Sequence, residues 1–134
     1  MDTILNELIK GQVCGADEYS PAVLAYAGDA VFELYVRTSL IKGGNQPVNK
    51  LNRAATAYVK AEAQSAFYER IKDSLSEEET RIFKRGRNSK PATTAKNANI
   101  RDYLNATGVE CLVGYLYLSG EFERLFEILD MVFA

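Results

Sequence analysis

Apolar residues recur every three to four positions along most of this chain, the spacing that places side chains on one face of an α-helix. No segment of the sequence shows the strict apolar-polar alternation of a half-buried strand. The pattern therefore predicts an all-α fold. The expected helices cover residues 3–10, 21–40, 47–73, 77–84, 99–118 and 122–132.

Polar residues at the helix ends support these boundaries. Ser20 and Pro21 provide a hydroxyl cap followed by proline at the first helical position. Ser76, with Glu79 three residues later, has the pattern of a capping box. Gly86 is expected to end the helix that begins there. The predicted buried face of the second helix contains Val23, Leu24, Ala27, Val31, Leu34 and Tyr35.

Length and composition are those of a small globular protein. With 134 residues the chain suits one domain, which we expect to span residues 1–134. No apolar run approaches the ~18 residues needed to cross a bilayer, and the N-terminus lacks a basic-then-apolar signal. We therefore expect a cytoplasmic protein without a membrane partner. Cys14 and Cys111 form no CxxC pair, so we expect neither a disulfide framework nor a zinc site.

The sequence contains no histidine. This excludes catalysis by Ser-His-Asp or Cys-His groups, HExxH zinc proteases and acid-base chemistry by imidazole. An enzyme with this composition must use carboxylates, lysine, tyrosine, hydroxyl groups or a bound metal. Carboxylates with a hard cation such as Mg²⁺ are the simplest remaining route.

Two acidic residues occupy unusually apolar surroundings. Asp29 is the only acid between Ser20 and Phe32, and Glu110 is the only one from residue 103 to residue 119. Removing a carboxylate from water costs several kcal/mol unless it is paired or binds a cation. A metal site is one interpretation. The other places both acids on the solvated stripes of their helices, facing Arg37 or Arg101.

Glu33, a second acid on the helix that carries Asp29, has a simpler interpretation. Glu33 precedes Arg37 by one helical turn, so we expect the two to form a surface ion pair.

Basic residues are concentrated in one segment. Of the 16 basic residues, seven lie between positions 81 and 101, whereas all 18 acidic residues lie elsewhere. Such a segment suits contact with phosphates, although charge runs are usually solvated surface loops. The candidate residues for contact with a phosphate-bearing partner, such as a nucleic acid, are Lys84, Arg85, Arg87, Asn88, Lys90 and Lys96. Gly86 among them would let the backbone approach a ligand closely.

Two motifs resemble those of the ribonuclease III family. Residues 25–31, AYAGDAV, resemble its signature helix with the core LGDAV, and residues 108–118, GVECLVGYLYL, resemble its second motif, LEALIGAIYL. Residues 83–90, FKRGRNSK, and 106–108, ATG, are similar to the Mini-ribonuclease III subgroup, which consists of the catalytic domain alone. The resemblance covers roughly residues 20–130, so we expect a catalytic domain without a double-stranded-RNA-binding domain.

The resemblance implies a fold and a set of site residues. It implies a helical bundle like the ribonuclease III catalytic domain, in a homodimer whose two sites cut opposed strands. Asp29 and Glu110 match the family's catalytic, metal-binding carboxylates. Ala25 and Thr107 occupy positions where full-length ribonuclease III has further carboxylates, so we assign neither as a ligand. Tyr26 matches an aromatic position of the dimer interface, with packing in the core as the alternative.

The implied function is metal-dependent hydrolysis of phosphodiester bonds in double-stranded RNA. Mg²⁺ is the expected cofactor, with Mn²⁺ as a possible substitute, and a large-subunit ribosomal RNA precursor is the expected substrate by analogy. Two alternatives remain open from the residues alone. One is a non-catalytic helical module that binds RNA or the ribosome, and the other is a helical dimerisation domain without a nucleic-acid partner.

Overall fold

The computed structural model describes residues 3–89 and 99–134 of the chain. These residues form α-helices and two short 3₁₀ turns, and no strand occurs within them, which confirms the all-α prediction. None of the described helices combines the length and the hydropathy that a membrane span requires. The helices are α1 (Thr3–Ile9), α2 (Pro21–Ile41), α3 (Val48–Val59), α4 (Ala61–Ile71), α5 (Glu77–Arg87), α6 (Ile100–Leu118) and α7 (Phe122–Leu129).

The predicted caps are present at two helix starts. The Ser20 hydroxyl oxygen accepts a hydrogen bond from the Val23 N–H at 3.2 Å. At the start of α5, the Ser76 N–H donates to the Glu79 carboxylate at 2.9 Å and the Glu79 N–H donates to the Ser76 hydroxyl at 3.1 Å. Both caps satisfy backbone N–H groups that have no partner inside the helix. Local sequence therefore fixes these two helix starts.

The prediction of one helix over residues 47–73 is wrong. Lys60 has an extended backbone, with φ −67° and ψ 158°, and separates α3 from α4. No glycine or proline lies at the break, so the spacing of apolar residues gives no sign that one helix ends there and another begins. The change of direction has a tertiary origin, because α3 packs against α2 whereas α4 packs against α6.

The prediction that Gly86 ends α5 is also wrong. The helix continues to Arg87, and Gly86 is buried inside it. A Cβ atom at position 86 would lie 2.5 Å from the Cβ of Cys111 on α6. Gly86 thus allows α5 and α6 to pack closely, and its missing side chain serves this contact rather than the approach of RNA.

Helix α6 lies at the centre of the molecule and packs against α2, α4 and α5. It is apolar around nearly its whole circumference, and residues 105–109 and 111–114 are buried. Burial raises the pKa of the Cys111 thiol to about 11, so this cysteine behaves as a small apolar group. The largest buried side chains around α6 are Leu24, Phe32, Phe67, Ile71, Ile82, Phe83, Leu125, Ile128 and Leu129.

The buried face of α2 differs from the prediction. Val23 and Leu34 are exposed, and Ala27, Val31 and Tyr35 are only half-buried. Because α2 is apolar on most sides, periodicity does not identify the side that faces α6. The residues that are buried are Leu24, Ala25, Gly28, Phe32 and Val36.

Candidate active site

Helices α2 and α6 cross with their backbones in direct contact. A Cβ atom at Gly28 would lie 1.7 Å from the carbonyl oxygen of Glu110, and one at Gly114 would lie 1.8 Å from the carbonyl oxygen of Leu24. Only glycine allows such an approach. Since Asp29 follows Gly28 directly, the two candidate carboxylates leave their helices at the same crossing.

Asp29 is exposed on α2. The arginines considered as partners bind other acids: Arg37 Nε lies 3.0 Å from Glu33, and Arg101 Nη2 lies 3.1 Å from Glu69. The first of these pairs confirms the predicted i,i+4 contact. Among the described residues Asp29 has no hydrogen bond or ion pair, so its carboxylate is accessible to a ligand from solvent.

Glu110 is half-buried on α6 and contacts a residue that the sequence did not single out. Its Oε2 atom accepts a hydrogen bond from Gln64 Nε2 at 3.3 Å. The same nitrogen donates to the carbonyl oxygen of Val59 at 2.9 Å, at the end of α3. Gln64 reaches both groups because the chain turns at Lys60, and the periodicity gives no sign of that turn.

The positions of the missing family carboxylates are buried. Ala25 lies in the interface between α2 and α6, and the Thr107 hydroxyl donates to the carbonyl oxygen of Tyr103 at 3.2 Å. Within residues 3–89 and 99–134, no three Asp, Glu, Cys or His side chains are close enough to hold a metal together. Asp29 and Glu110 thus remain a candidate pair of carboxylates, and a pair of this kind suits a hard cation that keeps several waters.

The described RNA-binding candidates lie in the last turn of α5 and just beyond it. Lys84 and Asn88 are exposed, and Arg87 lines a groove of about 580 Å³ whose walls include both charged residues, such as Lys72, and apolar residues. Arg85 is partly engaged, since its Nη2 atom donates to the carbonyl oxygen of Tyr19 at 3.3 Å.

Two of the candidates, Lys90 and Lys96, lie outside the described residues. Within the described part of the basic segment, the two outermost arginines, Arg81 and Arg101, form ion pairs. Arg81 binds Asp17 at 3.1 Å, and Arg101 binds Glu69. These pairs neutralise the two outer arginines, so among the described residues of the segment the positive charge outside ion pairs lies on Lys84, Arg85 and Arg87.

Tyr26 does not pack in the core of this chain, because its side chain is 84% exposed. Tyr26, Ala30 and Leu34 follow one another at helical i,i+4 spacing on the exposed side of α2. Leu34, which is 64% exposed, also lines an apolar groove of about 720 Å³. The groove is formed by residues of α1, α2, α6 and α7, among them Leu5, Leu8, Ala30, Leu34, Tyr117 and Phe126.

The sequence matches the family model of the Ribonuclease III domain over residues 22–121. This range contains the α2–α6 crossing and both candidate carboxylates. The chain therefore belongs to the ribonuclease III family, and it is an endoribonuclease.

Its relatives within the family carry the name Mini-ribonuclease 3. The protein of that name from Thermoanaerobacter sp. (strain X514) is 53% identical over 117 residues, covering 87% of this chain and 82% of the relative. The Clostridium tetani protein is 53% identical over 86% of this chain and 77% of its own length. A crystal structure of a Fusobacterium nucleatum protein matches with TM-score 0.78 and 34% identity, over 87% of this chain and 93% of the other.

Proposed function

We propose that this chain is a metal-dependent endoribonuclease that hydrolyses phosphodiester bonds in double-stranded RNA, with Asp29 and Glu110 as its catalytic carboxylates. The observation that carries the proposal is the glycine-mediated crossing of α2 and α6. At this crossing the backbone of Gly28, which precedes the exposed Asp29, contacts that of the half-buried Glu110, in a chain without histidine. The Mini-ribonuclease 3 relatives support the same class of reaction.

Asp29 and Glu110 are the residues that would hold Mg²⁺, with Mn²⁺ as a substitute. When bound, the cation lowers the pKa of a water nucleophile and stabilises charge on the phosphate. Asp29 presents its carboxylate to solvent, where the RNA phosphate arrives. Glu110 is held from the protein side by Gln64. Both side chains would serve one phosphodiester, because they belong to residues at the glycine contact that holds α2 against α6.

A site with two protein carboxylates should bind Mg²⁺ weakly before RNA arrives. Mg²⁺ commonly completes its octahedron with water and phosphate oxygens, and this chain fixes few ligands beforehand. We expect isothermal titration of the free protein with Mg²⁺ to give weak binding that becomes tighter when a short RNA duplex is present. Tight stoichiometric binding to the free protein would contradict the proposal of a sparse site.

RNA contact is assigned to the end of α5 and the residues after it. Double-stranded RNA is recognised largely through its phosphates, 2′-hydroxyl groups and shape, which Lys, Arg and Asn side chains can bind. Lys84, Arg87 and Asn88 are accessible there, and Lys90 and Lys96 follow in the sequence.

We further propose that the chain acts as a homodimer. The exposed row of Tyr26 and Leu34 lies beside the apolar groove on the same face of one chain. In a two-fold dimer the same surface patch of each copy contacts the other, so the patch must be complementary to itself. A patch that has both protruding side chains and a groove can meet this condition. Asp29 is one turn from Tyr26, so pairing this face would bring two sites together and allow both strands to be cut.

The proposed setting is the cytoplasm, and the proposed substrate is a precursor of large-subunit ribosomal RNA. Processing of a precursor transcript by the purified protein, with cuts opposed across a helical stem, would support this assignment. Cleavage of long duplex RNA without any cut in the precursor would limit the proposal to double-stranded RNA in general.

The decisive experiment is incubation of the purified protein with long double-stranded RNA in Mg²⁺, with EDTA as the control. We expect Asp29→Asn to abolish cleavage and leave RNA binding intact, because it removes charge without changing size. Asp73→Asn, at an exposed site after α4, is the matched control and should cut normally. Equal cleavage by wild-type protein and Asp29→Asn would refute the proposed site, and binding without cleavage by the wild type would favour a non-catalytic module.

A further inference from the structure

The side chain of Gln64 is a buried polar group beside the proposed site. It is only 2% exposed and lies between the end of α3 and the Glu110 carboxylate. Its Nε2 atom donates to the Val59 carbonyl oxygen at 2.9 Å and to Glu110 Oε2 at 3.3 Å. One amide group thus links α3, α4 and α6 at the point where Glu110 leaves its helix.

The orientation of this amide follows from its neighbours. A backbone carbonyl and a carboxylate both accept hydrogen bonds, so the NH₂ group of Gln64 must face them. The reversed amide would place its oxygen against two acceptors. In the observed orientation Oε1 is buried and has no hydrogen-bond partner among the described residues.

A buried acceptor without a partner destabilises the folded state. A methionine or leucine of similar volume at position 64 would fill the space without that cost. Packing alone therefore does not account for glutamine here. What glutamine supplies is the NH₂ group, and the two acceptors it serves are Val59 and Glu110.

We propose that Gln64 is a positioning residue, which holds the Glu110 carboxylate in one orientation for the divalent cation and the RNA phosphate. This inference rests on the proposed function. Groups that hydrogen-bond a metal-binding carboxylate limit the orientations it samples, and losing them commonly weakens metal binding or activity roughly 10- to 100-fold. In a site with few protein ligands, the loss of order in one of them has a large effect.

The test compares Gln64→Met with Ser65→Ala. Gln64→Met removes the NH₂ group and nearly keeps the side-chain length. Ser65 is the next residue on α4, is also buried and accepts a hydrogen bond from Asn105 Nδ2 at 3.0 Å. Its replacement removes one buried hydrogen bond between α4 and α6 without touching Glu110. The measurements are Mn²⁺ affinity in complex with a short RNA duplex, kcat and KM with long duplex RNA, and thermal unfolding.

For Gln64→Met we expect the dissociation constant for Mn²⁺ to rise, and kcat to fall, each by roughly 10- to 100-fold. KM and RNA affinity in EDTA should be unchanged. Ser65→Ala should unfold at a lower temperature and keep the Mn²⁺ affinity and kcat of the wild type. The proposal is overturned if Gln64→Met keeps the wild-type Mn²⁺ affinity and kcat, or if Ser65→Ala loses as much of both.

A measurement on the wild-type protein covers the case in which Gln64→Met does not fold. Mn²⁺ added to the ¹⁵N-labelled protein with duplex RNA should broaden the side-chain NH₂ signals of Gln64, because this group contacts a ligand of the cation. Sharp Gln64 signals at saturating Mn²⁺ would overturn the inference. Failure of the wild type to cleave, or cleavage by Asp29→Asn, would refute the proposed function instead, so the two failures are distinguishable.

Discussion

Individual carboxylates of this chain differ in the partners that surround them. Glu79 is buried, and its two oxygens accept hydrogen bonds from Nε and Nη2 of Arg124, both at 2.9 Å. Asp29 is exposed and pairs with no described residue. The two acidic residues thus differ in their surroundings: the Glu79 carboxylate is bound by the protein, whereas the Asp29 carboxylate is accessible to a ligand.

The Glu79–Arg124 pair should make stability depend on pH. Burial of the Glu79 carboxyl opposes its ionisation, but hydrogen bonds from Arg124 and Ser76 outweigh it and hold the pKa below its usual range. A carboxylate with a lowered pKa in the folded state stabilises the fold above the unfolded pKa. That contribution is lost as the pH falls through the folded pKa.

We expect Glu79→Gln to lower the free energy of unfolding by about 1–3 kcal/mol at pH 7. Glutamine can keep the capping box, so the change removes the charge together with one of the two acceptors for Arg124. Urea unfolding at pH 7 and near pH 3 measures the difference, which should shrink in acid. Glu77→Gln, an exposed acid in the same helical turn, is the control and should have little effect. An equal loss at both pH values would contradict an electrostatic origin.

Glycine contacts set the spacing of the central helices. Gly28 and Gly114 bring α2 against α6, and on another side of α6 Gly86 and Gly108 bring α5 close. Helices in such contact have little freedom to slide, since an added Cβ atom would meet backbone at Gly28 and Gly114 and a packed side chain at the other two glycines. The spacing of the two backbones that carry Asp29 and Glu110 is therefore set by the packing of whole helices.

Gly28→Ala should destabilise the fold and disable the site together. The new Cβ would meet the Glu110 carbonyl oxygen at 1.7 Å, so α2 and α6 must move apart. Overpacking of this kind costs about 1–3 kcal/mol or more. Gly15→Ala is the matched control, because its Cβ would have only an ordinary 3.6 Å contact with Glu18. Thermal unfolding and cleavage assays check both variants, and wild-type behaviour of Gly28→Ala would contradict the backbone contact.

The C-terminal end of α5 should carry part of the affinity for RNA. We expect the double change Lys84→Ala and Arg87→Ala to weaken binding of duplex RNA and to flatten its dependence on salt, because fewer phosphates are neutralised. Arg85 is left intact, since it also binds the Tyr19 carbonyl oxygen. Binding is measured as a function of salt concentration.

The control for α5 is the double change Lys10→Ala and Lys50→Ala. Both lysines are exposed, and replacing them alters the net charge by the same amount. The control should keep the wild-type salt slope. Identical slopes for both double variants would show that net charge, rather than the end of α5, determines the affinity.

At the scale of the whole molecule, the exposed apolar face of α2 is a surface that a single chain does not bury within its described residues. Exposed apolar side chains gathered beside an apolar groove commonly mark an interface. The proposed dimer would bury Tyr26 and Leu34 and place two copies of Asp29 on one assembly. Cutting both strands of an RNA duplex then follows from the assembly rather than from one site.

Leu34→Glu should convert the proposed dimer to a monomer, because burying an unpaired carboxylate in an apolar interface is strongly unfavourable. Sedimentation velocity measures the change, and coupled cutting of opposed strands should be lost with it. Val13→Glu is the matched control, since Val13 is 98% exposed on a loop outside the groove. A wild-type protein that sediments as a monomer while still cutting both strands together would contradict the dimer.

The sequence by itself determined the fold class, most helix ends and the family, and it supplied the two carboxylates proposed for the site. These depend on local signals, such as the Ser20 and Ser76 caps, or on motifs read in order along the chain. The break at Lys60, the buried side of α2 and the role of Gly86 were decided only by tertiary structure. Each depends on the neighbour against which a helix packs. When a helix is apolar on most sides, its local sequence does not show which side that neighbour contacts. Gln64 belongs to this second group, because it reaches Glu110 only after the chain has turned.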